Sequence, residues 1–318
     1  MERDIDILAL GELNVDLILN DIKDFPAIGK EIIANDMLLT LGSSTAIFAA
    51  NAASIGSKVA FMGMIGKDNF GSLVKSSLNA KNVHTSFLIE SEKYSTGLTV
   101  VLSYDEDRAN VTYPGAMNHM GINDIDVNAL RRAKHVHISS LFMQDDLHRD
   151  IKEILELLKK NGLTISLDTQ WDPNENWNFD YMHLLPLIDV FMPNEKELMA
   201  LTKSSNLDDA IDQIKDVCNI AVIKCGSKGS KMITRNGDLI SLPANLNSKV
   251  VDTVGAGDSF NAGFISAFVK GLPIEECQVT GTLIGAVSTT AAGGTGAFIS
   301  KKHVEELSKE IFGKDLNI

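Results

Sequence analysis

Cysteine is scarce in this sequence, with only Cys218, Cys225 and Cys277 in a chain of 318 residues. They show no close pairing and no zinc-ligand spacing, which argues against a crosslinked scaffold and points to a reducing compartment. The 7 histidines do not cluster with them. Basic residues are in deficit: 29 Lys and Arg against 42 Asp and Glu leave a net charge of −13. That balance argues against a general nucleic-acid binder or a protein of anionic membrane surfaces, while leaving room for a local basic pocket. No uninterrupted apolar run is long enough for a bilayer, and the opening Met1-Glu2-Arg3-Asp4 has no apolar signal core. The expected location is cytoplasmic.

Several chemical motifs are missing too. There is no Gly-x-x-x-x-Gly-Lys-Ser/Thr loop, which counts against a Walker-type nucleotide fold. No Gly-x-Gly-x-x-Gly follows the first strand pattern, which counts against a nicotinamide dehydrogenase. Neither a Gly-x-Ser-x-Gly elbow nor a His-Glu-x-x-His pair is present.

What remains is ordinary in bulk: 44% apolar and 22% charged residues, as in globular proteins with a substantial core. The pattern alternates strand and helix. Strands are expected at 5–10, 58–63, 135–139, 163–167, 188–192 and 220–224. Helices are expected at 42–56, 66–82, 145–161, from Asn194, from Asp208, and at 274–292, with a charged helix at the end. Such alternation implies a parallel sheet with crossover helices. Residues 30–41 read as a short strand pair, and 96–103 with 110–113 as a hairpin around a charged turn. Two further strands, 230–234 and 239–242, look antiparallel. With no repeat or linker, the expectation is one α/β domain over 1–318. Residues 12–20, 30–41 and 96–114 would form a small β lid or dimer surface.

The most informative stretch is Asp252-Thr253-Val254-Gly255-Ala256-Gly257-Asp258-Ser259-Phe260. A strand end at 249–251 is expected to run into two glycines and then into a helix, with Phe260, Phe264, Ala267 and Phe268 on one side. Amides at a glycine turn and the positive end of a helix suit an anion. The carboxylate of Asp258 either caps the helix or takes a proton from something bound beside that anion.

Other polar groups fall where strands end. Glu12, Asn14 and Asp16 alternate with apolar residues, so a strand would place them on one side, facing either solvent or a ligand rich in hydroxyls. Asp168 ends a strand. Asn194 and Glu197 share a face at a helix start, as a capping box or as holders of a hydrated Mg²⁺. Lys224 ends a buried strand, to meet a phosphate or to reach water. Gly226 and Gly229 follow it in a turn.

Together these segments resemble the ribokinase-like (PfkB-type) carbohydrate kinase family over nearly the whole chain. Residues 252–260 are similar to its C-terminal signature. Gly42 through Gly56, with Gly63, Gly66-x-Asp68 and Gly71, resembles its N-terminal signature. Pro193-Asn194-Glu195-Lys196-Glu197 and Ile223-Lys224-Cys225-Gly226-Ser227-Lys228-Gly229 look like its Asn-x-x-Glu and nucleotide-loop segments. The resemblance implies a three-layer αβα fold with a mainly parallel sheet and a β-sheet lid, and ATP with Mg²⁺ as cofactors. The reaction it implies is transfer of the γ-phosphoryl group to a hydroxyl of a sugar or nucleoside. Asp258 would be the base, with Gly255, Ala256 and Gly257 forming the anion hole. Asn194 and Glu197 would organise Mg²⁺ through water, and Lys224, Gly226 and Gly229 would border the nucleotide. Asn14, Asp16, Gly42 and Ser43 would hold the acceptor. Asp252, Val254, Ala291 and Gly293 would carry a monovalent cation such as K⁺, and the lid would support a homodimer.

Two departures stand out. Ser43 replaces the second glycine of the N-terminal signature, and Ile47 replaces its asparagine. Ile47 cannot hydrogen-bond a hydroxyl, so the acceptor is expected to be less polar than ribose or differently oriented. Arg108, Gln170 and Trp171 are candidates for replacement contacts, or else surface and packing residues. Three functions follow: a sugar kinase, a nucleoside kinase using apolar surface from Ile47, Phe48 and Phe142, or a sugar-binding regulator without catalysis. The intact turn and base favour the first.

Overall fold

A computed structural model describes residues 3–104 and 107–318, the side chains of Asp107 and Arg108 excepted. In chain order the strands are β1 (Ile5–Leu10), β2 (Asn14–Asn20), β3 (Asp36–Leu41), β4 (Val59–Gly66), β5 (His84–Ser91), β6 (Gly97–Tyr104) and β7 (Asp107–Tyr113). They continue as β8 (Ala133–Ser139), β9 (Thr164–Asp168), β10 (Val190–Phe191), β11 (Ala221–Lys224), β12 (Ser230–Ile233) and β13 (Leu239–Leu242). The larger sheet has the order β13-β12-β11-β10-β9-β8-β1-β4-β5. From β5 to β11 every pairing is parallel, and the β12–β13 pair continues the edge in antiparallel fashion.

Alternation along the strands divides the core between two helix layers. Leu8, Leu10, Val136, Ile138, Ile165 and Leu167 pack on one face with Leu155 and Leu158 of the helix Ile151–Lys160. Ile7, Ala9 and Phe61 pack on the other with Phe48 of Ser44–Ser54 and Phe264 of Ala256–Val269. This is the three-layer αβα arrangement that the family resemblance implied, built on the parallel sheet expected from the alternation of strands and helices.

On that second face the middle of the sheet turns polar. His135 sits between the hydroxyls of Thr164 (2.8 Å) and Ser166 (2.7 Å), and His137 between those of Ser166 (2.7 Å) and Ser139 (2.7 Å). His137 stacks on Phe48 at 3.7 Å. Burial lowers the pKa of both rings, that of His135 to about 3, so both are neutral. The next rung of the ladder pairs Ser139 with Asp168.

The smaller sheet has the order β3-β2-β6-β7. Its register puts Asn14, Asp16, Thr99 and Thr112 on one face. Leu17, Leu19, Met37, Leu39, Val100, Val111 and Tyr113 share the other. Within it Asn14 donates to Thr99 at 2.7 Å, and Thr99 meets Thr112 at 3.0 Å.

Four local expectations need correction. Residues 30–41 are not a strand pair: only Asp36–Leu41 is a strand, and its partner is β2. The helix expected at 145–161 is two, Asp145–Arg149 and Ile151–Lys160, with Asp150 leaving helical geometry at the junction and its carboxylate accepting from the Ile122 amide (3.0 Å). Residues 249–251 are not a strand either: Val250 and Val251 are 54% and 62% exposed, without a neighbouring strand to cover them. β5, an edge strand of mixed polarity, was absent from the expected set. Among the described residues no helix is long and apolar enough to cross a membrane.

Candidate active site

Gly255 adopts φ 70° as the N-cap of the helix Ala256–Val269, and a Cβ there would lie 2.7 Å from the Gly294 Cα. No side chain caps this helix. Its first amides and the positive end of its dipole are therefore turned toward whatever binds at the turn. Asp258 is thus not the cap. Its carboxylate is buried in the first turn and accepts from Gln170 Nε2 at 3.1 Å. Burial, reinforced by the charge of Asp168 and opposed by Lys224, raises its pKa to about 8.

Lys224 stands beside the turn, its Nζ 3.6 Å from where a Gly257 Cβ would be. It pairs with Asp168 and lies 3.4 Å from Asn261 Oδ1. Asn261, one helical turn beyond Asp258, donates to Asp168 at 2.6 Å. Burial works against the ammonium charge, but Asp168 and Glu197 outweigh it and hold the Lys224 pKa above its ordinary value. Asp168, Glu197 and Asp258 therefore crowd around one cation.

Asn194 and Glu197 form a complete capping box. The Asn194 amide donates to Glu197 Oε2 at 2.9 Å, and the Glu197 amide to Asn194 Oδ1 at 2.9 Å. Burial and then Asp168 raise the Glu197 carboxyl to about 7. The main chain of Asn194 also forms a parallel β-bridge with Lys224, which sets the cap beside that residue. Gly226 has φ 55° with open space around it, whereas a side chain on Gly229 would overlap Leu242 and Ala244. Gly229 is thus required by packing of the β12–β13 hairpin.

Asn14, Asp16 and Gly42, expected to hold the acceptor, converge. Asn14 donates to Asp16 at 3.1 Å, and a side chain on Gly42 would overlap both. Burial lifts the Asp16 carboxyl to about 6. Glu12 does not join them, because β2 begins at Asn14 and the Glu12 carboxylate turns to the Thr45 amide (3.1 Å). Ser43, at φ 72°, donates to the Glu12 carbonyl at 2.6 Å and accepts from the Ala46 amide at 2.9 Å. Its hydroxyl caps the helix Ser44–Ser54. The Arg108 side chain lies outside the described residues.

Ile47 is buried against the turn: added Cβ atoms at Gly294 and Gly255 would come within 2.5 and 3.1 Å of it. One turn further on, Asn51 donates to the Gly294 carbonyl and the Ser259 hydroxyl, both at 2.9 Å. An asparagine thus braces the turn from a shifted position. Phe48 and Phe142 are buried at 0% and 6% exposure, so these side chains present no open platform. Trp171, beside Gln170, is 46% exposed.

Asp252 accepts from the Val254 amide (3.0 Å) and the Gly293 amide (2.9 Å), tying the segment of the turn to the loop that carries Ala291. Sequence reasoning left Asn261, Ser44 and Asn51 out of the site. The spacing of Asn261 three residues after Asp258 was the available signal.

Fold and site together define a phosphotransferase with an alcohol group as acceptor, on a ribokinase-like scaffold. The profile of the pfkB family carbohydrate kinases matches residues 4–301, and the chain belongs to that family. Ribokinase of Arabidopsis thaliana is 27% identical over 320 residues, covering 95% of this chain and 81% of that protein. Its structure with ribose and ATP superposes with a TM-score of 0.81 at 26% identity, covering 97% and 99% of the two chains. An uncharacterized sugar kinase of Archaeoglobus fulgidus is 29% identical over 234 residues, 73% of this chain and 91% of that one. A nucleoside kinase of Methanocaldococcus jannaschii shares the fold, with a TM-score of 0.81 at 22% identity over 98% and 100% of the chains. The protein is a sugar or nucleoside kinase of the ribokinase family.

Proposed function

We propose that the protein transfers the γ-phosphoryl group of ATP to a hydroxyl, most simply a primary one, of a sugar or sugar derivative. The observation that carries this reading is the buried carboxylate of Asp258 at the uncapped end of a helix, beside Lys224. Asp258 takes the proton of the acceptor hydroxyl as its oxygen bonds to phosphorus and the bond to the ADP oxygen breaks. Gly255, Ala256 and Gly257 offer amides to the charge that spreads over the transferring group. Asn14, Asp16 and Gly42 orient the acceptor, with Ser43 following Gly42 at its edge. Lys224, Gly226 and Gly229 border the nucleotide.

Among the described residues no group of three or more His, Cys, Asp or Glu could hold a metal directly. The crowded carboxylates, with Glu197 raised to about 7, instead suit a Mg²⁺ carried on the phosphates and reached through water by Asn194 and Glu197. Such an ion supplies charge neutralisation at the phosphates. The oxygens of Asp252, Val254, Ala291 and Gly293 are of the hard type that suits K⁺, which would brace the turn from behind. The exposed Trp171 supports a second reading, a nucleoside acceptor stacked on its ring.

The test is ATP consumption with neutral sugars, sugar phosphates and nucleosides as acceptors, with Asp258→Asn as control. At least one acceptor is expected to turn over, and the control to lose about 10²–10⁴-fold in kcat. Unchanged turnover in the control would remove Asp258 as base. A lack of turnover with every hydroxyl acceptor would favour a sugar-binding regulator.

A further inference from the structure

Gln170 occupies an unusual position. It follows the last residues of β9 with φ 58°, a left-handed conformation that glycine adopts far more readily than glutamine. Non-glycine residues held there mark places where the surroundings over-determine the backbone, and they cluster at functional sites. Here the effect is specific. The turn folds the glutamine side chain back over the end of the sheet, where its Nε2 lies 3.2 Å from Asp168 Oδ2 and 3.1 Å from Asp258 Oδ1. An amide nitrogen has two hydrogens, one for each carboxylate. The two acids are 90 residues apart in sequence by their numbers, Asp168 and Asp258, and this amide nitrogen bonds to both.

We propose that Gln170 is a positioning residue for phosphoryl transfer, whose side-chain amide fixes the orientation of the Asp258 carboxylate by anchoring it to Asp168. The proposal rests on Asp258 being the base. Asp168 is itself immobilised by Lys224 and by Asn261 at 2.6 Å, so the amide refers the base to a rigid point. The polarity also matters. An amide N–H donates and cannot accept, so it favours the ionised form of Asp258, which is the form that accepts a proton from the acceptor hydroxyl. The groups whose charge or hydrogen bond bears on Asp258 are Asp168 at the end of β9, Lys224 at the end of β11, Glu12 ahead of β2 and the Ser44 hydroxyl at the start of its helix. Asp168 and Glu12 oppose ionisation, while Lys224 and Ser44 support it. Gln170 adds a neutral donor to the supporting side.

The proposal is tested with Gln170→Leu, which keeps much of the bulk without the donor, and with Gln170→Asn, which keeps the donor on a shorter arm. For any acceptor found in the screen, Gln170→Leu is expected to lower kcat by about 10–100-fold, up to the cost of displacing a reacting group by about 1 Å. KM for ATP should stay within about twofold, because the nucleotide-bordering residues are untouched. The acid limb of the kcat/KM profile should move to higher pH. Gln170→Asn should recover part of kcat. A ¹³C carboxyl titration of Asp258, assigned by its loss in Asp258→Asn, gives the same answer without turnover: its midpoint should rise in Gln170→Leu. If kcat falls while both the acid limb and the carboxyl midpoint stay where they are, Gln170 is only a structural residue and the proposal is overturned. If Asp258→Asn keeps full turnover, the base assignment fails, and the carboxyl titration still decides whether Gln170 controls Asp258. Should Gln170→Leu unfold early by circular dichroism, Gln170→Asn and its carboxyl midpoint carry the test, and an unshifted midpoint there overturns it.

Discussion

A carboxylate that is hard to ionise leaves a trace in stability as well as in rate. Burial raises the pKa of Asp258 from an ordinary 3.8 to about 8. The folded chain thus binds this proton more tightly than the unfolded chain does. The resulting contribution to stability is present at low pH and is lost as pH rises from about 4 through about 8. Asparagine carries no such loss. Asp258→Asn is therefore expected to unfold at a higher temperature than the parent at pH 9, with the advantage shrinking toward pH 5. Calorimetry across that range checks it, and a constant difference would mean that Asp258 does not titrate as a buried acid. At this scale the sequence was legible where spacing alone defines a contact. Asn194 and Glu197 are three residues apart, and their mutual bonds follow from helix geometry. The link from Gln170 to Asp258 crosses 88 positions and depends on a left-handed φ, so nothing local announced it.

Elements were easier to read than their contacts. The helix Ala256–Val269 follows from its apolar period, and its close packing on Ile274–Ser288 follows from small residues: a Cβ on Gly263 would come 2.8 Å from Ile284 Cβ. β5 was missed because an edge strand need not alternate, and 249–251 was misread because β-branched residues also occur in extended, exposed chain. The position of Ile47 was legible, but its surroundings were not. Rather than offering apolar surface to an acceptor, it packs against Gly255 and Gly294 of the glycine turns. Gly294 has no room for a methyl group, since that carbon would lie 2.5 Å from Ile47 Cδ1. Gly294→Ala is expected to cost about 1–3 kcal/mol by overpacking, the usual range for a methyl forced into a filled core. Adding Ile47→Val, which removes Cδ1, should return part of that loss. A double-mutant cycle by urea unfolding measures the coupling, and additive effects would show that the two residues do not meet.

For the whole molecule, the order of strands and helices was enough to reach a parallel sheet with crossover helices, because such connections admit few arrangements, and the family resemblance supplied the three layers. The lid was legible as β-rich sequence with turns, but its two faces emerge only from the register. One carries the polar residues Asn14, Asp16 and Thr99. The other is apolar and open, with Met37, Val111 and Tyr113 exposed at 63%, 66% and 56%. Continuous apolar faces of this kind are characteristic of association surfaces. A homodimer through the lid is expected, and Met37→Lys with Val111→Lys should shift it to monomer in sedimentation equilibrium. A parent chain that stays monomeric at high concentration would remove the lid as an interface.

The row of hydroxyls and imidazoles beneath the site carries a consequence of its own. Each serine or threonine has one proton to give, and each neutral ring has one nitrogen that gives and one that takes. In a single file of such groups, the choice made at one end dictates every other. If Thr164 gives its proton to the Lys134 carbonyl (3.4 Å), it takes one from Nδ1 of His135. His135 then takes from Ser166, Ser166 takes from Nδ1 of His137, and His137 takes from Ser139. With that start both rings share one tautomer and every proton in the file points toward Thr164; with the opposite start both tautomers and every proton are reversed. The ladder behaves as one object with a direction, and to reverse any one bond is to reverse them all.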